Sequence, residues 1–122
     1  MKKERPILSD LVSESTTETE AFQNTVLRPI IKMQHTLLIA FFKTYLIKRK
    51  VDFSILSEQK KRGKIKSVLE KDLQFKNQIL GTILGHFSMD EYEIYQNNSS
   101  EFNRRIKQII IKRLQDSIDE IQ

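Results

Sequence analysis

The apolar positions from Phe22 onward follow the spacing of an amphipathic helix. One stripe, with intervals of three or four residues, comprises Phe22, Val26, Ile30, Met33, Leu37, Phe41 and Tyr45. Within it, residues 37–42 form an unbroken apolar run, LLIAFF, that points around more than one and a half turns. Neighbours must therefore cover this helix on several sides, which predicts the central helix of a helical assembly. The predicted contacts with a second copy or a partner are Leu37, Leu38, Ile39, Phe41 and Phe42.

Pro29 lies inside this pattern and has no backbone N–H to donate. Two arrangements fit it: a short helix that ends near Leu27, followed by a new helix with Pro29 in its first turn, or one helix that continues with a kink. We predict the continuous, bent helix. Arg28 lies beside Pro29 and near the apolar stripe, so we expect it to pair with a carboxylate from another helix and to fix the register.

A second helix is predicted to start at Ser57. A serine is a favoured N-cap, and Glu58 follows in the first turn, where the helix dipole favours an anion. The apolar stripe of this helix comprises Ile65, Val68, Leu69, Leu73, Ile79, Leu80, Ile83, Leu84 and Phe87. Asp72 and Asn77 lie near the stripe and are candidate structural polar residues.

Two further helices follow. Ser88 and Glu91 have the S-x-x-E spacing of a capping box, which predicts a short helix with Ser88 as its N-cap. Residues 97–100, NNSS, should end it, and Ser99 or Ser100 should cap the last helix. The stripe of that helix comprises Phe102, Ile106, Ile109, Ile110, Leu114, Ile118 and Ile121.

These elements predict an all-α fold, because no segment shows the alternation of a strand. We expect an elongated antiparallel bundle of two long helices, a short helix and a long C-terminal helix. A helix of about 28 residues is about 42 Å long, whereas a compact domain of this size is about 35 Å across. An elongated bundle, or dimerisation of long helices, would cover the overhang.

The two ends of the chain differ in pattern. Residues 8–20, LSDLVSESTTETE, show no sustained period and cannot bury enough surface to offset the entropy of ordering. We therefore expect residues 1–19 to be a mobile tail and residues 20–122 to be a single helical domain.

Composition bears on the compartment and on covalent chemistry. The chain has no cysteine, which excludes disulfides and thiolate metal sites. Residues 1–6, MKKERP, are not followed by the apolar stretch of a signal peptide. The longest apolar run is far shorter than the roughly 20 residues that span a bilayer. We expect a cytoplasmic protein with no membrane contact.

The charge is unevenly distributed. Residues 21–80 carry thirteen basic and four acidic side chains, whereas both flanking segments are acidic on balance. The region from Lys43 to Lys66 is therefore predicted to be a positive end of the molecule, where a polyanion such as nucleic acid would bind. The candidate contacts are Lys48, Arg49, Lys50, Lys60, Lys61, Arg62 and Lys64.

No motif indicates a reaction. The two histidines, His35 and His86, lie in different predicted helices and lack metal-site spacing. The three glycines lie in helical pattern and not in a phosphate-binding turn. We therefore predict no catalytic residue, no metal and no cofactor.

Three segments carry a family resemblance: FQNTVLRPIIKMQ, KDLQFKN and FSMDEYEIYQNNSSEFNRR. Together they resemble a family of small uncharacterised bacterial helical proteins, over residues 20–116. Some members carry the label "glyoxalase", a class of enzymes that uses a βαβββ fold with His and Glu metal ligands on strands. No strand is predicted here. The resemblance implies that residues 20–116 form one unit, and it implies no catalytic residue.

The sequence as a whole favours a non-enzymatic helical protein. It would act by self-association as a dimer, or by binding another protein, through residues 37–42. The alternative is binding of nucleic acid or another polyanion through the basic region from Lys43 to Lys66.

Overall fold

A computed structural model describes residues 14–122, with side chains from residue 18 onward. No strand occurs in this range, so the all-α prediction is confirmed. The N-terminal helices are α1 (Glu14–Phe22), a π-helical segment (Gln23–Leu27), α2 (Arg28–Met33) and α3 (His35–Lys48). After a 3₁₀ turn (Phe53–Ile55) come α4 (Glu58–Lys71), α5 (Leu73–Leu84), α6 (Met89–Gln96), α7 (Ser99–Gln115) and α8 (Ile118–Ile121).

The predicted tail, residues 1–19, lies largely outside the described residues. Its last part, residues 14–19, is helical, and Thr19 is buried. The helical unit therefore begins earlier than the predicted residue 20. Tertiary packing explains the difference, because the Phe22 ring at the end of α1 lies 4.7 Å from the ring of Phe102 and 5.7 Å from that of Phe87. These contacts anchor a segment whose own periodicity is weak.

The helix continues through Pro29, as predicted. Leu27 and Arg28 both keep right-handed helical dihedrals, and the Arg28 N–H donates to the Gln23 carbonyl five residues back. This wider π turn lies directly before the proline, where the ring would clash with a tighter turn and where one backbone donor is missing. The interruption falls instead at Gln34, with φ −94° and ψ 14°, between α2 and α3.

The predicted second long helix is broken at Asp72. This residue is extended, with φ −89° and ψ 103°, and separates α4 from α5. Its Oδ1 accepts the Phe75 N–H at 2.9 Å, so it is the N-cap of α5, and its Oδ2 accepts Nη2 of Arg49 at 2.8 Å. An aspartate readily accepts backbone N–H groups at the start of a helix. Asp72 can therefore begin a new helix even though the apolar pattern continues across the break.

These interruptions remove the reason for an elongated bundle. The longest helix that is α-helical throughout in residues 14–122 is α7, with 17 residues and a length of about 26 Å. The continuous helical path from Glu14 to Met33, which includes the π turn, is about 30 Å long. That length fits within the diameter of about 35 Å expected for a compact domain of this size. The overhang predicted from two unbroken helices of about 42 Å does not arise.

Helix α7 packs against α4, α5, α6 and the π-helical segment, whereas α3 packs mainly against α2 and α8. Both helices contribute to one core, and the buried side chains of α3 are Leu38, Ile39, Phe42 and Leu46. The prediction that the first helix is the central one is therefore not confirmed. The buried side chains of α7 are Phe102, Ile106, Ile110, Ile111 and Leu114. This apolar face is wider than a single stripe, so α7 can serve neighbours on several sides.

Helices α3 and α5 run antiparallel. The Gln34 side chain, just before α3, is hydrogen-bonded to His86, just after α5. At the other end of the pair, the rings of Tyr45 and Phe75 lie 5.2 Å apart, and Arg49 reaches Asp72. The start of one helix thus faces the end of the other.

The helix caps confirm two of the predicted N-caps and contradict a third. Ser88 accepts the Glu91 N–H at 3.1 Å and donates its own N–H to Glu91 Oε1 at 2.8 Å, so the predicted capping box is confirmed. Ser57 accepts the Lys60 N–H at 3.2 Å, which confirms the predicted start of α4. Neither Ser99 nor Ser100 caps the last helix: α7 begins at Ser99, after an Asn98 that makes no side-chain cap bond.

The first turn of α7 is stabilised by Glu101 instead. Its carboxylate accepts hydrogen bonds from Arg104 and Arg105 at 2.6 and 2.7 Å. These two arginines lower the pKa of Glu101 to about 2, so it remains ionised at neutral pH. An anion in the first turn also favours the helix dipole.

Replacement of two serines tests these assignments. Ser88→Ala removes one half of the capping box, so the free energy of unfolding should fall by about 1 kcal/mol in urea denaturation. Ser100→Ala removes an exposed hydroxyl that caps nothing, and alanine has the higher helix propensity, so stability should stay the same or rise slightly. Equal losses in the two variants would contradict the assigned N-caps.

Lys50 has a left-handed backbone, with φ 56°. It follows α3 in a Schellman motif, in which the Lys50 N–H bonds the Ile47 carbonyl and the Val51 N–H bonds the Leu46 carbonyl. Glycine is the usual residue here because a Cβ is unfavourable at positive φ.

Lys50→Gly should therefore raise the free energy of unfolding, by about 0.5–1 kcal/mol, because it relieves the left-handed strain. Lys48→Gly is the control, since Lys48 lies inside the last turn of α3, where glycine costs about 1 kcal/mol. Urea denaturation of both variants measures the two changes, which should have opposite signs.

Candidate functional sites

Most of the residues predicted to contact a partner are buried inside the domain itself. Leu38 and Phe42 are fully buried and Ile39 is 6 % exposed, so none of the three can contact a partner. That part of the prediction is wrong, because α3 turns these side chains toward the domain core. Phe41 is half-buried, and Leu37 alone of the set is exposed, at 39 %.

The opposite side of α2 and α3 carries an exposed apolar stripe, which we call the α3 stripe. Its members are the apolar residues Met33, Leu37, Ala40 and Ile47, with Thr44 between them, all exposed. They are spaced four, three, four and three residues apart. The four members on α3 fall within an arc of about 80°, and Met33 lies at the end of α2, before the interruption at Gln34. Met33 is 61 % and Ile47 is 75 % exposed. The signal was present in the sequence as a heptad-like spacing, but the longer apolar run of residues 37–42 obscured it.

Only cations border the α3 stripe within its own helices. Residues 22–50 contain no acidic side chain. Lys32 and Lys43 lie on one flank of the stripe and Lys48 on the other, and all three are exposed. The stripe is therefore an apolar surface with a positively charged rim.

The predicted polyanion-binding set is divided by the fold. Lys61 is buried, where its ammonium donates to the Gln122 side chain. Arg62 is half-buried beside Gln115, whose amide donates to the Arg62 carbonyl at 3.0 Å. Arg49 pairs with Asp72. The remaining members are Lys48, Lys50 and Lys60, which are exposed, and Lys64, which is half-buried. The basic region is thus not one continuous free surface.

Arg28 does not form the predicted pair with a carboxylate of another helix. Its side chain is exposed, and Nε donates to Asn24 Oδ1 one turn earlier in the same helical path, at 3.2 Å. Asn77 is exposed on α5. Asp72, Ser88 and Glu91 do serve as structural polar residues, through the caps described above.

Arg49, Asp72 and Tyr45 meet at a cleft of about 340 Å³ between α3 and α5. Burial and the hydrogen bond to Asp72 raise the pKa of Tyr45 above its ordinary value. The Phe75 backbone N–H, with Tyr45 and Arg49, lowers the pKa of Asp72. Both shifts move the pKa further from 7, so neither side chain is suited to exchange protons near pH 7. The junction has the chemistry of a structural contact.

Two other classes of site are absent from the part of the chain that the structure describes. Among the side chains of residues 18–122, no group of three or more histidine and acidic residues converges as a metal site would require. Within the same range, no helix combines the length and apolar character needed to cross a bilayer.

Comparisons with known proteins returned no match: no family model, no curated protein and no solved structure is similar to this chain at a significant level. The resemblance to a small bacterial helical family therefore stays a prediction.

Adjacent leucines distinguish the two faces of α3. Leu38→Ala should lower the free energy of unfolding by about 2–5 kcal/mol, because it leaves a cavity in the core. Leu37→Ala removes a partly exposed side chain, and the loss should be below about 1 kcal/mol. Chemical denaturation of the two variants measures both values. Similar losses would show that the faces are assigned incorrectly.

Proposed function

We propose that the protein is a non-enzymatic helical binding protein, and that its α3 stripe binds an acidic amphipathic helix of a partner protein. The observation that supports this most directly is the exposed apolar stripe opposite a fully buried face of the same helix. Large apolar side chains that share one exposed face are typical of interaction surfaces.

The spacing of the stripe favours a helix as the bound element. Intervals of four and three residues are those of the a and d positions in a helix pair, where side chains of one helix fill gaps of the other. From Met33 to Ile47 the stripe is about 21 Å long, which matches about four turns of a bound helix. Helix-in-groove recognition uses such a row of apolar anchors.

Charge favours an acidic partner over a second copy. Complementary potentials across an interface select the partner, whereas facing like charges disfavour it. Two copies joined through their α3 stripes would bring Lys32, Lys43 and Lys48 of one chain toward the same cations of the other. A helix with aspartate or glutamate beside its apolar row would instead pair with each lysine. Dimerisation through the α3 stripe is therefore less favourable than binding of an acidic partner helix.

A matched pair of isoleucines tests the proposal. The probe is a synthetic three-heptad helix with leucine at its a and d positions and glutamate at e and g. We expect a one-to-one complex by fluorescence anisotropy and light scattering. Ile47→Glu should abolish it, because a carboxylate would enter the apolar stripe. Ile55→Glu is the control, since Ile55 is 76 % exposed but lies outside the stripe.

Two further measurements complete the test. A probe with lysine at e and g should bind much more weakly, because its charges face the lysine rim. The unliganded protein should be monomeric by light scattering. A dimer that Ile47→Glu dissociates would overturn the heterologous partner in favour of self-association. Equal binding by the Ile47 and Ile55 variants would exclude the α3 stripe altogether.

A further inference from the structure

A second surface, on α7, concentrates positive charge in a cleft. The cleft has a volume of about 490 Å³ and lies between the π-helical segment with α2 on one side and α7 on the other. Its size is within the range of small-molecule sites, about 300–1,000 Å³. It is distinct from the α3 stripe and from the basic region of residues 43–66.

The lining of this cleft is strongly cationic. The cations that line it are Arg28, Arg105, Lys112 and Arg113, and Asp116 is the acidic residue among the lining side chains. Arg28 comes from α2, the other three cations come from α7 at intervals of seven and one residues, and Arg105 is also paired with Glu101. Clefts lined by one sign of charge concentrate ions of the opposite sign.

Two hydrogen bonds hold the Arg105 guanidinium in place. Its Nε donates to Glu101 at 2.7 Å and its Nη1 to Gln23 Oε1 at 2.9 Å. Within the described part of the chain, its Nη2 makes no hydrogen bond. A guanidinium fixed by two partners has lost much of its conformational freedom already, so it can bind an anion with little further ordering cost.

Arg113 is positioned by a chain of hydrogen bonds that runs from Glu120 on α8 through His35 on α3. His35 Nε2 lies 2.9 Å from Glu120 Oε1, and His35 Nδ1 lies 3.2 Å from Nη1 of Arg113. In the tautomer that donates Nε2–H to Glu120, Nδ1 accepts from the guanidinium. The Nε of Arg113 is buried and, among residues 18–122, has no hydrogen-bond partner. Such an orphan donor is costly unless a ligand or solvent satisfies it.

The helix dipole explains only part of this cluster. Lys112 and Arg113 lie in the last turn of α7, where cations are favourable without any ligand. Arg28 and Arg105 do not lie at a helix C-terminus. Arg28 is not neutralised by any carboxylate in the described range, and the ion pair of Lys112 with Asp116 is long and exposed, at 3.3 Å. Positive charge therefore remains in excess across the cleft.

We infer that this cleft binds a small phosphorylated molecule that carries two or more negative charges. The guanidinium groups of Arg28, Arg105 and Arg113 offer N–H donors to phosphate oxygens, and Lys112 adds a point charge at the rim. The side-chain amide nitrogens of Gln23 and Gln108 can donate to the remainder of such a molecule, while their Oε1 atoms accept from Arg105 and Arg104.

Inorganic pyrophosphate is the probe, titrated calorimetrically into the full-length protein. We expect saturable one-to-one binding. Arg28→Met and Arg105→Met should each weaken it about tenfold or more, the change that loss of one charge-assisted hydrogen bond produces. Lys107→Met is the matched control: Lys107 lies two residues from Arg105 on α7 and carries the same charge, but it lines a different cleft, so affinity should change less than about twofold.

Three results would overturn the inference. Unchanged affinity in Arg28→Met would do so, because this exposed side chain can be replaced without loss of folding. Succinate binding as tightly as pyrophosphate would show that the cleft does not select phosphate. Tighter binding of a single-stranded oligonucleotide, weakened equally by Lys107→Met and Arg105→Met, would indicate a diffuse polyanion surface in place of a small-molecule site.

Discussion

The carboxylate of Asp72 is the contact on which much of this architecture depends. It starts α5 by accepting the Phe75 N–H in the first turn of that helix, and it joins α5 to α3 through Arg49. Without this break, residues 58–84 would form one rod too long for a compact domain of this size. With it, α4 and α5 separate, and α5 lies antiparallel to α3. A single polar side chain thus converts a pattern of long helices into a fold of short ones.

The same compaction explains why α3 has two apolar faces. Its inner face, with Leu38 and Phe42, fills the core, whereas Met33, Leu37 and Ile47 remain exposed on the outer face. A helix that is apolar all round normally lies in the interior. Here α3 packs only its inner side against other helices, so the outer side of an apolar helix is left without a neighbour in the described residues. This imbalance is the basis of the proposed function, and it is independent of the cationic cleft on α7.

Local signals predicted local structure well. Ser57 and Ser88 were identified as N-caps because each lies at a fixed distance from the donors it satisfies. Passage of the helix through Pro29 was also predicted, although the π turn that permits it was not. The cationic cleft was missed for a different reason. Arg28 is far in sequence from the other three cations, and those three lie in residues 81–122, which are acidic on balance, so no charge cluster was evident until the fold brought Arg28 and Arg105 to one cleft.

The sequence by itself determined the all-helical class and the capping box, because these depend on the helical period and on hydrogen bonds within one or two turns. The tertiary structure decided which helices pack together, where Asp72 and Gln34 interrupt the rods, and which side of the run from Leu37 to Phe42 stays exposed. The physical reason is that apolar periodicity states how much surface a helix must bury but not which neighbour buries it. The choice of neighbour depends on packing between helices that are distant in the chain, and all of these helices affect it.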